Sequence, residues 1–160
     1  MYGRRRYRNN RRSYGNKAKY TVKYISDILS FVDFGTETPR GIARYQANYT
    51  IIPADATYGL RKAKHFYITF NVTTPMTFAL VYVPNGYPAN LLNTTANSPE
   101  LYVPSNNVIM AGEVDPDARS SFGVHISRNI RDGDEVVLLC SKATSDTFNH
   151  LFSVRYAITS

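Results

Sequence analysis

The sequence has no tryptophan, one cysteine and no long apolar run. The last two shortages each exclude a class of structure. Because Cys140 has no second cysteine to pair with, no intrachain disulfide is possible, which suits a reducing compartment. No stretch approaches the roughly 20 apolar residues of a membrane-spanning helix. No apolar segment follows the basic start, as it would in a secretory signal. We therefore expect neither a disulfide framework nor a membrane partner.

Acidic residues are also missing from the first 24 positions, which hold nine of the 19 Lys and Arg. The other ten cations and all 12 acids lie in residues 25–160, which sum to −2, so the basic start carries the whole excess of a +7 chain. Like charges repel, and Arg, Asn, Gly and Ser bury little apolar surface. Residues 1–16 are therefore predicted to form a disordered arm, followed by one globular domain over residues 17–160.

The composition of the basic start points to a polyanion as its partner. Guanidinium groups pair with phosphates in a bidentate way at any relevant pH, and tyrosines among them stack on bases of any sequence. The nucleic-acid-binding residues predicted here are Arg4, Arg5, Arg6, Arg8, Arg11, Arg12, Lys17, Lys19, Tyr7 and Tyr14. With all nine cations engaged, the log–log slope of affinity against salt is about −6. A nuclear localisation signal or a ribosomal-type extension is the alternative reading of such a cluster.

The rest of the chain is rich in Tyr, Phe, Val, Ile and Thr, residues that fit a pleated sheet. Eight strand-like segments occur: 17–34 with an irregular centre, 42–52, 65–73, 76–83, 107–112, 122–130, 135–141 and 151–159. Helix is expected for one or two turns at most, in 25–31 or 54–63. This pattern predicts an all-β sandwich, jelly roll or barrel. The almost continuous apolar run EVVLLCS (135–141) is predicted to be buried on both faces.

Two predicted connections carry features that a plain loop does not need. Residues 54–64 include Arg61, Lys62 and Lys64, which either extend the nucleic-acid surface or lie in solvent. Residues 84–106 are unusually long and apolar for a loop, which is typical of an interface. The subunit-interface residues predicted there are Tyr87, Leu91, Leu92, Leu101 and Tyr102. The alternative is that this loop folds back over its own sandwich.

No arrangement of residues indicates catalysis. The three histidines, His65, His125 and His150, are dispersed and lack metal-ligand spacing, so we expect structural roles for them. Turn formation is expected for five loop acids, with a cation site at a subunit contact as the alternative: Asp115, Asp117, Asp132, Asp134 and Glu135. Cys140 is predicted to be an inert buried thiol. No phosphate-binding loop, Gly-x-Ser-x-Gly or HExxH motif occurs. The sequence predicts no enzyme, no metal and no cofactor.

Two motifs together resemble a known family. The first is the Arg-rich, Tyr-punctuated start MYGRRRYRNNRR, and the second is SRNIRDGDEVVLLC (127–140) followed by FSVRYAI (152–158). They resemble the capsid proteins of small circular single-stranded DNA viruses with a replication initiator protein, the circovirus- and nanovirus-like group. The resemblance implies an eight-stranded antiparallel jelly roll. It also implies a homo-oligomer of about 60 copies that closes by T=1 icosahedral symmetry.

The resemblance further implies a protein of the virion that passes through the host nucleus during assembly. Plant satellite RNA viruses have similarly small jelly-roll capsids, so single-stranded DNA and RNA both stay open as the genome. The sequence therefore predicts a capsid protein that assembles into a small shell and packages a single-stranded genome through its arm. The alternative is a non-capsid β-barrel protein that binds or chaperones single-stranded nucleic acid.

Overall fold

The computed structural model describes residues 19–37, 42–57, 59–87, 107–144 and 148–159. These residues form nine β-strands in two antiparallel sheets, which confirms the all-β prediction. The strands are β1 Tyr20–Leu29, β2 Val32–Glu37, β3 Ile42–Ile52, β4 Arg61–Asn71, β5 Met76–Val83, β6 Val108–Val114, β7 Ser121–Ile130, β8 Glu135–Lys142 and β9 His150–Thr159. Within these segments, no helix has the length and hydropathy needed to cross a membrane.

The strand pairs are nested in the sequence. The first strand pairs with the last, β3 pairs with β8, β4 with β7 and β5 with β6, so each pair encloses the next. Three further pairings, β2 with β3, β4 with β9 and β5 with β8, join these strands into sheets. The result is a four-stranded sheet of order β1-β9-β4-β7 and a five-stranded sheet of order β2-β3-β8-β5-β6.

One apolar layer between the two sheets forms the core. Alternation along β4 turns Phe66, Ile68 and Phe70 inward, where Phe70 packs on Phe78 of the opposite sheet with a centroid distance of 5.0 Å. Burying each such ring stabilises the fold by about 1.5–3 kcal/mol. In β8, every residue after Glu135 is buried, because the strand lies between β3 and β5 and has apolar clusters on both of its faces. The prediction of two-sided burial for this strand is confirmed, as is the burial of Cys140.

The predicted first strand is two strands, which is why nine are found where eight were expected. Pairing with β9 ends at Leu29, and after Ser30 and Phe31 the chain continues as β2 in the other sheet. The irregular centre seen in the sequence is this change of sheet. The suggested helical turns were wrong, since 25–29 belong to β1 and 61–63 to β4.

The start of β4 was also predicted incorrectly. The strand begins at Arg61 rather than His65, so Arg61, Lys62 and Lys64 lie in a strand and not in a connection. A β-bulge at His65 explains the error, because it shifts the alternation between Lys64 and Phe66. Before the bulge the inward residues are odd-numbered and after it they are even-numbered, so no single period of two runs through the strand.

Candidate nucleic-acid interface

The two sheets carry opposite charge. The four strands of the first sheet hold six cations, Lys23, Arg61, Lys62, Lys64, Arg128 and Arg155, and a single acid, Asp27. The five strands of the second sheet hold Arg44 and Lys142 against Asp33, Glu37, Glu113 and Glu135. Counted over these described strands, the four-stranded sheet is therefore cationic, at +5, and the five-stranded sheet is slightly anionic, at −2. Such asymmetry directs a polyanion to one side of the molecule.

The one acid of the four-stranded sheet does not face outward. Asp27 accepts hydrogen bonds from the Tyr49 hydroxyl and from the backbone N–H of Ile28, both at 2.7 Å. Tyr49 belongs to β3, so the carboxylate points toward the other sheet. The hydrogen bond from Tyr49 is the main reason why the pKa of Asp27 is lowered, and the same bond raises the pKa of Tyr49. The carboxylate is thereby held in its charged form away from the outer surface.

The register of the four strands defines the outer face of this sheet, which we call the basic face. Its rows across the sheet are Tyr20, Thr159, Lys62 and Asn129; Val22, Ala157, Lys64 and Ser127; Tyr24, Arg155, Tyr67 and Gly123; and Ser26, Ser153, Thr69 and Ser121. Three cations and three tyrosines lie in the first three rows. Among the described residues in these rows, none is acidic.

Cations and tyrosines contact each other directly on the basic face. The Nζ atom of Lys64 lies 3.7 Å from the ring centroid of Tyr20, and Cζ of Arg155 lies 4.8 Å from that of Tyr67. Each contact is worth about 0.5–1 kcal/mol at an exposed site. Gly123 makes room for the Tyr67 ring, because a Cβ there would lie 2.7 Å from two ring carbons. A surface that alternates charge with flat rings suits phosphates and stacked bases of any sequence.

A pair of histidines lies beside Tyr67. The Nδ1 atoms of His65 and His125 are 3.0 Å apart, and the Tyr67 hydroxyl lies 3.3 Å from Nε2 of His125. His65 adopts a left-handed backbone with φ of 56°, which is uncommon for a residue other than glycine. The two histidines are 60 positions apart in the sequence, and only structural roles were predicted for them. Only the β4–β7 register brings them together, so no local signal could have found the pair.

The predicted binding residues separate into three groups. Lys62 and Lys64 lie on the basic face, and Lys19 is exposed where the chain enters β1. Arg61 turns to the inward side of β4 and is 9% exposed, so it does not lie on the basic face, and its role in binding stays a prediction. The predicted arm residues Arg4, Arg5, Arg6, Arg8, Arg11, Arg12, Lys17, Tyr7 and Tyr14 lie outside the described residues.

A cleft of about 260 Å³ opens beside edge strand β1, on the side of the strand that faces the other sheet. It is lined by Thr21, Lys23, Ile52, Pro53, Arg61, Tyr156, Ile158 and Thr159. Its lining includes two cations and no acid. The Arg61 guanidinium donates to the carbonyl of Pro53 at 3.5 Å, which orients it at this end of the sandwich. The cleft extends the cationic surface around the strand that follows the arm.

The predicted interface loop is described only at its start. Tyr87 follows β5 in a turn closed by its N–H donating to the carbonyl of Pro84, and the residue is 70% exposed. Leu91, Leu92, Leu101 and Tyr102 lie outside the described residues. Exposed large apolar residues also occur elsewhere on the body: Val32, Leu60 and Phe148, each more than 60% exposed.

The loop acids act in turns. Asp134 accepts hydrogen bonds from the Tyr82 hydroxyl at 2.6 Å and from the backbone N–H of Arg131 and Asn85 at 2.7 and 3.0 Å. Asp115 likewise accepts from the N–H of Asp117 at 2.9 Å. In the part of the chain that the structure describes, no three potential metal ligands cluster. Turn formation therefore accounts for these carboxylates.

The comparisons with known proteins leave the family of this chain open. A scan against protein-family models finds no match, and a search of the curated proteins finds no similar sequence. The geometry of the chain itself must therefore support any functional assignment.

Proposed function

We propose that this protein is the subunit of a small icosahedral capsid, built on a jelly roll, that packages a single-stranded nucleic acid. The nested pairing supports the jelly roll, because an antiparallel ribbon that is rolled up yields two four-stranded sheets with these neighbours. In this interpretation β2 is an additional edge strand beside β3. The basic arm and the basic face contact the genome, which we take to be DNA from the family resemblance.

The charge asymmetry of the sandwich is the observation that carries this proposal. The chain enters β1 at Lys19 and Tyr20, in the same corner as Lys62 and Lys64. The basic residues 1–18 therefore join the body at the corner where the basic face carries its two lysines. Fully extended, 18 residues reach roughly 60 Å, enough to run along a genome away from the body. Side chains of this kind contact phosphates and ring faces, which suits packaging without sequence preference.

Exposed apolar residues support assembly into a shell. Val32, Leu60, Tyr87 and Phe148 each expose more than 60% of their surface, and such residues are typical of contact surfaces when they cluster between copies. A closed shell uses heterologous contacts, in which two different surfaces of neighbouring subunits meet. The slightly anionic five-stranded sheet then faces away from the genome.

A binding module that coats single strands without closing a shell is the second candidate. The same basic face and arm favour it, because both functions need sequence-independent affinity for phosphates. The size of the particle separates the two, since a coating protein gives monomers, dimers or open filaments. An enzyme is not proposed, because the sequence carries none of the catalytic motifs considered above and no three potential metal ligands cluster among the described residues.

The deciding experiment compares the full chain with a variant that lacks residues 1–16 and with a variant whose six arm arginines are changed to Gln. Light scattering and electron microscopy measure particle size, and the 260/280 nm absorbance ratio measures nucleic-acid content. We expect closed particles that contain nucleic acid from the full chain, and particles without it, or none, from both variants. The glutamine variant keeps the length of the arm, so it isolates charge as the cause. A soluble monomer or dimer under all assembly conditions would refute the capsid function.

A further inference from the structure

We propose that the His65–His125 pair is a proton-linked phosphate site, which takes up a proton when nucleic acid binds to the basic face. The affinity of this face then rises as the pH falls. This inference rests on the proposed function, because it requires that nucleic acid bind to the basic face. It concerns a pair of residues for which the sequence predicted only structural roles.

The geometry of the pair limits how many protons it holds. A separation of 3.0 Å between the two Nδ1 atoms is a hydrogen-bond distance, and such a bond needs one N–H and one bare nitrogen. The pair therefore carries at most one positive charge while the bond is intact. A second proton turns both Nδ1 atoms into donors, which then repel each other unless an acceptor lies between them. A phosphate oxygen is such an acceptor.

The surroundings of the pair are cationic or neutral. The other titratable groups of the basic face are Lys62, Lys64 and Tyr67 on β4, Arg155 on β9, and Tyr20 and Tyr24 on β1. On β7 the pair's own His125 is the outward titratable group, and Arg128 lies opposite the inward Ala63. Among these described groups no carboxylate balances an added charge. A bound phosphate supplies that balance, so binding of the anion and of the proton favour each other.

The backbone conformation at His65 supports a functional role for this position. His65 is the one non-glycine residue with positive φ among the described residues, and it lies at the bulge that interrupts β4. Left-handed backbone is unfavourable for a residue with a side chain, and such outliers concentrate at functional sites. Here the bulge brings the imidazole against His125, with ring centroids 5.2 Å apart.

The basic start and the third histidine are not expected to add a pH dependence of their own. The basic start, residues 1–24, contains no histidine and no acid, so its own phosphate contacts keep their charge between about pH 5 and 8. The third histidine, His150, is 1% exposed, and its Nε2 lies 2.7 Å from Nζ of Lys142. It is inside the sandwich and does not reach a phosphate. A difference in pH dependence between the wild type and a variant without the pair therefore reports on the pair.

The test measures, by fluorescence anisotropy in the presence of EDTA, the affinity of the full chain for a fluorescein-labelled oligothymidine. The oligonucleotide is longer than the roughly 16 nucleotides that one small domain covers. It compares the wild type with His65→Asn/His125→Asn across about pH 8 to 5.5. Asparagine tolerates the left-handed backbone and does not titrate. For one proton taken up, affinity rises by up to about tenfold per pH unit. As the pH falls across this range, we expect the affinity of the wild type to rise at least about tenfold more than that of the double variant. At the alkaline end the two proteins should have similar affinities.

A matched control is Lys62→Gln, which removes a charge from the same face but leaves the pair intact. It is expected to lower affinity at every pH and to keep the wild-type pH dependence. Calorimetry in two buffers of different ionisation enthalpy should show proton uptake on binding for the wild type and for Lys62→Gln only. Equal pH dependence in the wild type and the double variant would overturn the inference and leave the binding function standing. Absence of salt-sensitive binding in every protein would overturn the proposed function and the inference with it.

Discussion

Removing the three cations of the basic face should reduce the salt dependence of nucleic-acid binding by a calculable amount. The variant is Lys62→Gln/Lys64→Gln/Arg155→Gln, in which all three substitutions lie in the first three rows of the face. Each phosphate contact to a single strand contributes about 0.7 to the log–log slope, so three contacts contribute about 2. Over a fourfold rise in salt, binding by the wild type should therefore weaken roughly 20-fold more than binding by the variant.

The matched control removes three cations from other parts of the body: Arg44→Gln/Arg119→Gln/Arg131→Gln. Arg44 lies on β3 of the other sheet, and Arg119 and Arg131 lie in the turns on either side of β7. Both triple variants lower the formal net charge from +7 by 3 to +4, so only the location of the charge differs. The arm is the same in all three proteins, and its contribution to the slope cancels in the comparison.

The assay is anisotropy of a labelled single-stranded oligonucleotide at several salt concentrations, with thermal melting to confirm that both variants are folded. The lost contacts of Lys64 with Tyr20 and of Arg155 with Tyr67 cost about 0.5–1 kcal/mol each, which melting can detect without loss of the fold. Equal slopes for the two triple variants would refute the assignment of the basic face. The arm alone would then account for binding.

Three further predictions concern the body. Asp134→Asn should reduce the free energy of unfolding by about 1–3 kcal/mol, measured by urea titration, because the buried carboxylate accepts three hydrogen bonds. Burial raises the pKa of Asp134, but the hydrogen bonds from Tyr82 and from the backbone lower it by more, so the native pKa is below the ordinary value of 3.8. The stabilisation is therefore present above pH 3.8 and is lost as the pH falls through the native pKa. If the variant and the wild type unfolded in acid alike, this account would be contradicted. Gly123→Ala should lower the free energy of unfolding by about 1–3 kcal/mol, because the new Cβ would force the Tyr67 ring away. The loss should be larger than for Gly112→Ala, where the nearest atoms would lie 3.1 Å from the Cβ. A neutral Gly123→Ala would show that the ring moves freely. Burial raises the pKa of the Cys140 thiol, so it should react with a disulfide reagent only in denaturant, and rapid reaction of the native protein would disprove its burial.

The fold class followed from the sequence because alternation records one-sided burial. The strand HLFSVRYAIT turns Phe152, Val154 and Tyr156 inward along its whole length, and no bulge interrupts it. Where the phase of alternation changes, the same reasoning failed. At β4 the bulge at His65 divided one strand into an apparent basic loop and a shorter strand.

The candidate site was less accessible to sequence reasoning, because it is made by register. Lys64 meets Tyr20, and Arg155 meets Tyr67, across separations in sequence of 44 and 88 positions (64 − 20 and 155 − 67). Neither pair has a local motif. The opposite charges of the two sheets were equally hidden, since the strands of the two sheets are interspersed along the chain. A basic cluster in the sequence did identify Lys62 and Lys64, but only the strand alternation separates them from the inward Arg61.

The nested strand order also imposes a waiting time on synthesis. Ile25 pairs with Val154, which is 129 positions later (154 − 25), so β1 has no partner until the last strand has been made. At the usual 5–20 residues per second, this interval is roughly 6–26 s. During it, the β1 segment lacks its partner β9 and is a template for pairing with another nascent chain. The nine cations of residues 1–24 flank and occupy this segment, and we expect their mutual repulsion to oppose such pairing. The charges that we propose to bind a genome should thus also protect each chain from its neighbours before folding is complete.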